Sequence, residues 1–142
     1  MKIILAWLVM MGAIIGCKSC DGSVFENDIV TATIILEAGG EYHVGALEGV
    51  HEVIINRAKK RNLTPAEVCL QRKQFSCWND LTLDDGIRIA KEHKRWVIAR
   101  NILEKETNYT KGADHYHTDY VYPYWAKSME KTAVIGRHIF YK

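Results

Sequence analysis

The feature that most constrains this chain is an uncharged, largely apolar run at residues 29–36, followed directly by the sequence EAGGE at residues 37–41. Such a run predicts a helix at the centre of the core, and Asn27 or Asp28 is expected to cap its start. Glycine takes the left-handed conformation of a helix end at little steric cost, so the glycine pair predicts the helix C-terminus. The residues expected on the buried side are Ile29, Val30, Ile34 and Ile35.

Glu37 would lie in the last turn of this helix. The backbone carbonyls there carry partial negative charge, which disfavours a carboxylate by roughly 0.3–1 kcal/mol and favours the protonated acid. A protonated carboxyl is what a general acid needs. Glu37 is therefore the first candidate for a catalytic residue.

Length and charge restrict the class of protein. A chain of 142 residues fits one globular domain, and its formal net charge is only +2. Proteins that bind nucleic acid usually carry a clustered basic surface, which such a mild charge does not favour. We expect a monomer without a nucleic acid partner.

The N-terminus predicts export. Residues 1–16 combine one lysine, a short apolar run and a terminal glycine, which is typical of a signal peptide or a signal-anchor. With Cys17 they also resemble the bacterial lipobox, in which the cysteine is lipidated. Residues 17–23 are then expected to be a tether and residues 24–142 the domain. The expected location is the periplasm or cell envelope, with membrane attachment through the N-terminal segment.

Two of the four cysteines fall inside the predicted domain. Cys69 and Cys77 are close enough in sequence to form a disulfide, which export would permit. The alternative is that they are two half-buried thiols. Either could serve as a nucleophile with a histidine, but no local sequence signature supports a Cys/His hydrolase.

The rest of the chain reads as helices followed by strands. Four further helices are predicted, over residues 45–60, 64–70, 82–105 and 124–134. The second begins with a capping box at residues 64–67, and the third is the longest. Strands are predicted at residues 114–122 and 137–141, as an antiparallel pair. Asn56, Arg57 and His93 are interpreted as parts of solvated helix faces. The fold class is therefore α+β and mainly helical.

Two groups of side chains could bind a ligand. Gln74, Phe75 and Ser76 form a polar and aromatic cluster of the kind that lines a saccharide groove. His115 and His117 are two apart on a strand and share a face. They could bind a metal ion with a third ligand such as His138, or bind sugar groups beside Tyr116 and Tyr122.

Glycoside hydrolysis usually needs a second carboxylate as nucleophile or base, and Glu41 and Glu48 are the nearest acids to Glu37. A mechanism with one acid is also possible. The 6-hydroxyl of the sugar can attack and close a ring, so that no water has to be activated.

Taken together, the motifs resemble the SleB/CwlJ-type cell wall hydrolase family. They are EAGGE at residues 37–41, EG at 48–49, VIINR at 53–57, VC at 68–69, QFSC at 74–77, HYH at 115–117, YPYWA at 122–126 and IGRHIFY at 135–141. The resemblance implies a lysozyme-like α+β domain with a small antiparallel sheet. It implies cleavage of peptidoglycan glycan strands, in known members as a lytic transglycosylase, without a metal ion or other cofactor.

The resemblance also implies roles for individual residues. The first glutamate of the family motif is the catalytic acid, a position that Glu37 occupies. Residues expected around the cleft as substrate-binding groups are Glu41, Gln74, Phe75, Ser76, His115, Tyr116, His117 and Tyr122. The family usually has arginine where this chain has Gly39, so we expect a charged contact to be missing and the rate to be affected.

The sequence thus predicts a peptidoglycan hydrolase or lytic transglycosylase with a single glutamic acid as general acid and base. A small exported enzyme of this type suits phage lysis, as an endolysin, or bacterial wall remodelling. The alternatives are a metal-dependent amidase or peptidase that uses His115, His117 and His138, and a wall-binding lipoprotein without activity.

Overall fold

The computed structural model describes the backbone of residues 20–142 and the side chains of residues 24–142. The predicted export segment, residues 1–16, lies outside the described residues, as does the predicted lipidation site Cys17. Within the described part, no helix is long and apolar enough to cross a membrane. The helices are α1 (Cys20–Ala38), α2 (Gly45–Arg61), α3 (Pro65–Leu70), α4 (Leu83–Lys91) and α5 (Trp96–Ile102), and the strands are β1 (His115–Thr118), β2 (Lys131–Ile135) and β3 (His138–Tyr141).

Helix α1 is the central element, as predicted, and packs against each of the other four helices. The four residues expected on its buried side are all buried. Its start was predicted wrongly, because the helix already runs from Cys20 and the expected caps, Asn27 and Asp28, lie inside it. Asp28 instead joins three helices, since its carboxylate pairs with Lys91 of α4 and Arg100 of α5, each at 2.6 Å.

The end of α1 lies where the glycine pair predicts it, but for a different reason. Neither Gly39 nor Gly40 has the positive φ expected of a left-handed helix end. A β-carbon at position 39 would instead lie 2.5 Å from the carbonyl oxygen of Ile35 and 3.3 Å from the His93 ring. Glycine is therefore required at position 39 by close approach rather than by an unusual backbone angle.

Helices α2 and α3 agree with the sequence prediction. The four apolar residues of α2 at helical spacing, Leu47, Val50, Ile54 and Ala58, are all buried. Helix α3 begins with the predicted capping box, in which Thr64 and Glu67 bond each other's backbone amides and Pro65 is the first helical residue.

The predicted long helix over residues 82–105 is wrong, because the chain turns at residues 92–95 and forms two helices that both pack on α1. In the turn, the backbone amide of Arg95 donates to Nδ1 of His93 at 3.1 Å. The guanidinium of Arg95 reaches the loop after α1 and donates to the carbonyls of Glu41, Gly39 and Tyr42. Neither His93 nor Arg95 belongs to a simple solvated face.

The sheet has three antiparallel strands in the order β1-β3-β2. Two strands were predicted, and the third takes the last four residues of the helix expected over residues 124–134. Only Tyr124–Ser128 is helical there, as a 3-10 turn, and Lys131–Ile135 forms β2. The sheet packs on α2 through Phe140, whose ring lies directly against Gly49. A β-carbon at position 49 would lie only 2.4 Å from that ring, so the contact requires glycine. Strand β1 pairs with β3, and its Tyr116 reaches Glu37 at the end of α1.

Candidate active site

Glu37 lines a cleft of about 530 Å³ that lies between the end of α1, the segment after α3 and strand β1. Three elements of different kinds meet here, so the site forms only when the chain is folded. The described residues that line the cleft are Leu36, Glu37, Arg57, Lys73, Gln74, Ser76, Cys77, Tyr116, His117, Thr118, Tyr120, Val121 and His138.

Two hydrogen bonds fix the Glu37 carboxyl group. The Tyr116 hydroxyl donates to Oε2 at 2.6 Å, and the backbone amide of Cys77 donates to Oε1 at 3.3 Å. Burial, and next to it the Glu37 carboxylate, raises the pKa of Tyr116 well above its ordinary value. Tyr116 therefore keeps its proton and acts as a permanent donor to Glu37.

Arg57 is the buried cation of the site. Its side chain donates to the carbonyl of Asp114 at 2.7 Å and to that of Gln74 at 3.4 Å, and its guanidinium lies 5.2 Å from the centre of the Phe75 ring. Burial lowers its pKa, but an arginine stays charged at neutral pH. The interpretation of Arg57 as part of a solvated face was wrong, since it joins β1 to the loop that carries the QFSC motif.

Cys69 and Cys77 are free thiols, the first buried and the second half-buried. Burial raises the pKa of Cys69 to about 12 and also raises the pKa of Cys77, to which the Glu37 carboxylate contributes. Because the thiolate is the nucleophilic form, neither cysteine is activated in the way a Cys/His hydrolase requires.

The structure brings together some of the predicted substrate-binding residues. Gln74, Ser76, Tyr116 and His117 line the cleft with Glu37, whereas Phe75 is buried beneath Arg57. His115 and Tyr122 are not among the lining residues. The roles of all of them in substrate binding remain predictions.

Glu41 points away from the lining of the cleft. Its Oε2 accepts a hydrogen bond of 2.9 Å from the backbone amide of Arg137, in the turn between β2 and β3. Contrary to expectation, this loop has a charged contact, because Arg95 supplies a guanidinium to its carbonyls. Gly39 therefore does not leave the loop without a cation.

The three histidines proposed as metal ligands do not form a cluster. No group of three His, Cys, Asp or Glu side chains within residues 24–142 is placed to hold a metal ion. The ring nitrogens of His117 are already engaged with the Tyr141 hydroxyl at 2.9 Å and the Thr118 carbonyl at 2.8 Å. His115 Nδ1 lies 2.7 Å from Asp114 Oδ1. Both ring nitrogens of His138 are buried without a hydrogen-bond partner among the described residues.

A second cavity, of about 550 Å³, lies between α2 and residues 103–108 and contains Glu52. The Glu52 carboxylate accepts four hydrogen bonds of 2.5–2.8 Å from Thr107, Tyr109 and Thr110. All its strong acceptor positions are engaged, so this carboxylate holds the loop in place. Glu37, with two such bonds, is better placed to exchange a proton with a ligand.

Several residues that line the cleft were not among the predicted site residues, and Arg57 and Tyr120 are two of them. Arg57 was visible only as a polar residue after an apolar run, and its burial depends on contacts with residues 17 and 57 positions away. Tyr120 lines the cleft, although Tyr122 seemed the better candidate. The two tyrosines lie beyond the end of β1, where strand alternation no longer predicts which way a side chain points.

These features define a helical α+β domain whose central helix presents one carboxyl group to an open, polar cleft. A similar structure is the crystal structure of the catalytic domain of the Bacillus cereus SleB protein, with a TM-score of 0.59 and 21% sequence identity. The match covers 84% of this chain and 91% of that one. At this identity the likeness concerns the fold, and it confirms the predicted fold class. A search of curated protein sequences found no match.

The sequence profile of the cell wall hydrolase family matches residues 40–141. The chain belongs to this family, which confirms the resemblance found in the sequence. The matched segment contains β1, the QFSC motif and the sheet, but begins three residues after Glu37. Glu37 therefore lies outside the matched segment, and it is a candidate on the geometry of the cleft.

Proposed function

We propose that this protein cleaves the glycan strands of peptidoglycan, with Glu37 as the general acid and then the general base. The observation that carries the proposal is the set of charges in the cleft. Among the described residues that line it, Glu37 is the one carboxylate, and Glu41 is turned to the Arg137 amide. A lone acid suits a reaction in which the sugar itself supplies the nucleophile, since hydrolysis in the usual manner uses two carboxylates.

In the first step, the protonated Glu37 gives its proton to the oxygen of the scissile glycosidic bond as the bond from that oxygen to C1 breaks. Tyr116 donates to Oε2 at 2.6 Å and the Cys77 amide donates to Oε1 at 3.3 Å, so the transferable proton is assigned to Oε1, the less strongly bonded oxygen. The departing sugar leaves with a hydroxyl group, and positive charge develops on the ring that keeps C1.

In the second step, the Glu37 carboxylate takes the proton of the 6-hydroxyl of that same ring while the hydroxyl oxygen bonds to C1. The product has a 1,6-anhydro end, and Glu37 is protonated again. If water attacked instead, the product would have a reducing end. The same acid serves both outcomes. Within residues 24–142 no second carboxylate lines the cleft, which favours the intramolecular outcome.

The test is to incubate the purified protein with peptidoglycan and to analyse the released fragments by mass spectrometry. Soluble muropeptides with anhydromuramic ends are the expected result. Fragments with reducing ends would show that the reaction is hydrolysis and not transglycosylation. Released peptides with intact glycan strands, and activity lost on chelation, would favour a metal-dependent amidase. Binding without release of any fragment would favour the inactive wall-binding protein.

The site of action would be the cell envelope, in phage lysis or bacterial wall remodelling. Membership of a cell wall hydrolase family supports this location, since the substrate lies outside the cytoplasmic membrane. The proposed route is export by the N-terminal segment, with attachment to the membrane through that segment as a further possibility to test by cell fractionation.

Tyr116→Phe should lower kcat about tenfold or more and change KM little. The variant keeps the half-buried ring but loses the hydroxyl that holds Glu37 Oε2, and a hydrogen bond to a charged group contributes about 1.5–3 kcal/mol. Initial rates of muropeptide release measure the effect. Tyr124→Phe is the matched control, because Tyr124 is an exposed tyrosine of the same region that lies outside the cleft lining. An unchanged kcat in Tyr116→Phe would show that this hydrogen bond has no part in the reaction.

A further inference from the structure

Tyr120 is an exposed aromatic ring at the edge of the cleft that contains Glu37. Its exposed fraction is 71%, a large value for a ring of this size. The exposed tyrosines of the described chain are Tyr42, Tyr109, Tyr120, Tyr122 and Tyr124, and Tyr120 is the one of them that lines this cleft. An exposed apolar ring in a polar cleft is a common feature of ligand contacts.

Arg137 covers one face of the Tyr120 ring, its guanidinium carbon lying 5.1 Å from the ring centre. The guanidinium is itself oriented, because Nε donates to Asp119 Oδ1 at 3.0 Å. A cation–π contact of this kind uses only one face of the ring. With the ring 71% exposed, its other face is free to contact a ligand.

The turn that carries Arg137 is fixed by Glu41. Gly136 has a φ of +58°, and a β-carbon there would lie 2.4 Å from Glu41 Oε2. Glu41 accepts from the Arg137 amide at 2.9 Å, and the Arg137 carbonyl accepts from the Asp119 amide at 2.8 Å. The second glutamate of the EAGGE motif thus positions the arginine that backs Tyr120.

We propose that Tyr120 is a stacking surface for a pyranose ring of the glycan strand, next to the bond that Glu37 cleaves. One face of a pyranose presents C–H groups, which pack on an aromatic face, while its hydroxyl and acetamido groups stay at the edge. The ligand class is an N-acetylated hexose within a glycan chain. This assignment rests on the proposed function, since it takes the glycan strand as substrate. Glu41 and Arg137 are positioning residues for this surface.

The test is binding to purified glycan strands freed of their stem peptides, measured by sedimentation or titration. The Glu37→Gln background prevents turnover. Tyr120→Ala should weaken binding about tenfold, the factor that corresponds to 1.4 kcal/mol, whereas Tyr120→Phe should bind within about twofold of the parent. Tyr124→Ala is the matched control, because Tyr124 is 87% exposed and lies outside the cleft lining.

Equal binding of Tyr120→Ala and the parent would overturn the proposal. Binding that is lost only with strands bearing stem peptides would also overturn it, because Tyr120 would then contact the peptide. If the unmutated protein binds strands through Tyr120 but releases no fragment from peptidoglycan, the stacking surface stands and the proposed catalytic function fails. The two proposals can therefore fail separately.

Discussion

Glu37→Gln should reduce the release of muropeptides by about 10²–10⁴-fold, the range in which general acid–base groups contribute to catalysis. Glutamine has nearly the same shape as glutamate, and its carbonyl oxygen still accepts the short hydrogen bond from Tyr116. Its amide nitrogen gives up only the longer bond of 3.3 Å from the Cys77 amide. What it lacks is the proton that the departing sugar needs. Initial rates on peptidoglycan suspensions measure the loss, and a binding assay on the same substrate should show affinity within about threefold of the parent.

The matched control is Glu48→Gln. Glu48 was the other nearby acid in the sequence, but it lies outside the cleft and pairs with Lys105 at 3.5 Å. Its substitution should leave the rate within about twofold, since partly exposed ion pairs contribute little. Full activity in Glu37→Gln would contradict the mechanism. Equal losses in the two variants would point to a general effect on the fold.

Local signals in the sequence predicted the elements whose formation depends on nearby residues. The capping box at Thr64 needs only residues three apart, and the apolar spacing of α2 needs only one helix. These features form in much the same way in any context. The end of α1, and with it the location of Glu37, was predicted at the right place, but the left-handed glycine on which that prediction depended is not there, and Arg95 holds the following loop from a distant part of the chain.

Long-range contacts explain the elements that were predicted wrongly. Residues 82–105 have no strong helix breaker, yet the chain turns at residues 92–95 because α4 and α5 both pack on α1 and Arg95 binds the loop after it. Likewise, Lys131–Ile135 becomes a strand because β3 offers it an edge to pair with. Tertiary contacts of this kind override weak local preferences.

The candidate site likewise contains residues that the sequence predicts and residues whose placement depends on long-range contacts. The catalytic candidate Glu37 could be predicted because the resemblance named it and the helix end placed it. Tyr120 could not, because its role depends on Arg137, which lies 17 residues further along the chain and across a turn. Glu41 looked like a cleft residue beside Glu37, but Glu37 bonds Tyr116 of β1, whereas Glu41 bonds the Arg137 amide in the turn between β2 and β3.

Glu52→Gln should lower the free energy of unfolding by about 2 kcal/mol. The four hydrogen bonds to Glu52 come from two backbone amides and two threonine hydroxyls, so both carboxylate oxygens act only as acceptors. The amide group of glutamine would place an N–H against a backbone N–H, and a buried donor without a partner costs about 1–3 kcal/mol. Urea denaturation measures the change, and faster hydrogen exchange at the amides of Tyr109 and Thr110 should accompany it.

Glu48→Gln again provides the comparison, because Glu48 lies one turn earlier on the same helix and its ion pair with Lys105 is partly exposed. It should change the free energy of unfolding by less than about 1 kcal/mol. Equal changes in the two variants would show that the four hydrogen bonds of Glu52 contribute little. The expected difference would instead explain why two hydrogen-bonded glutamates have separate roles. Glu52 is buried and fully bonded and stabilises a loop, whereas Glu37 is half-buried, only partly bonded and faces the cleft, where it can transfer a proton.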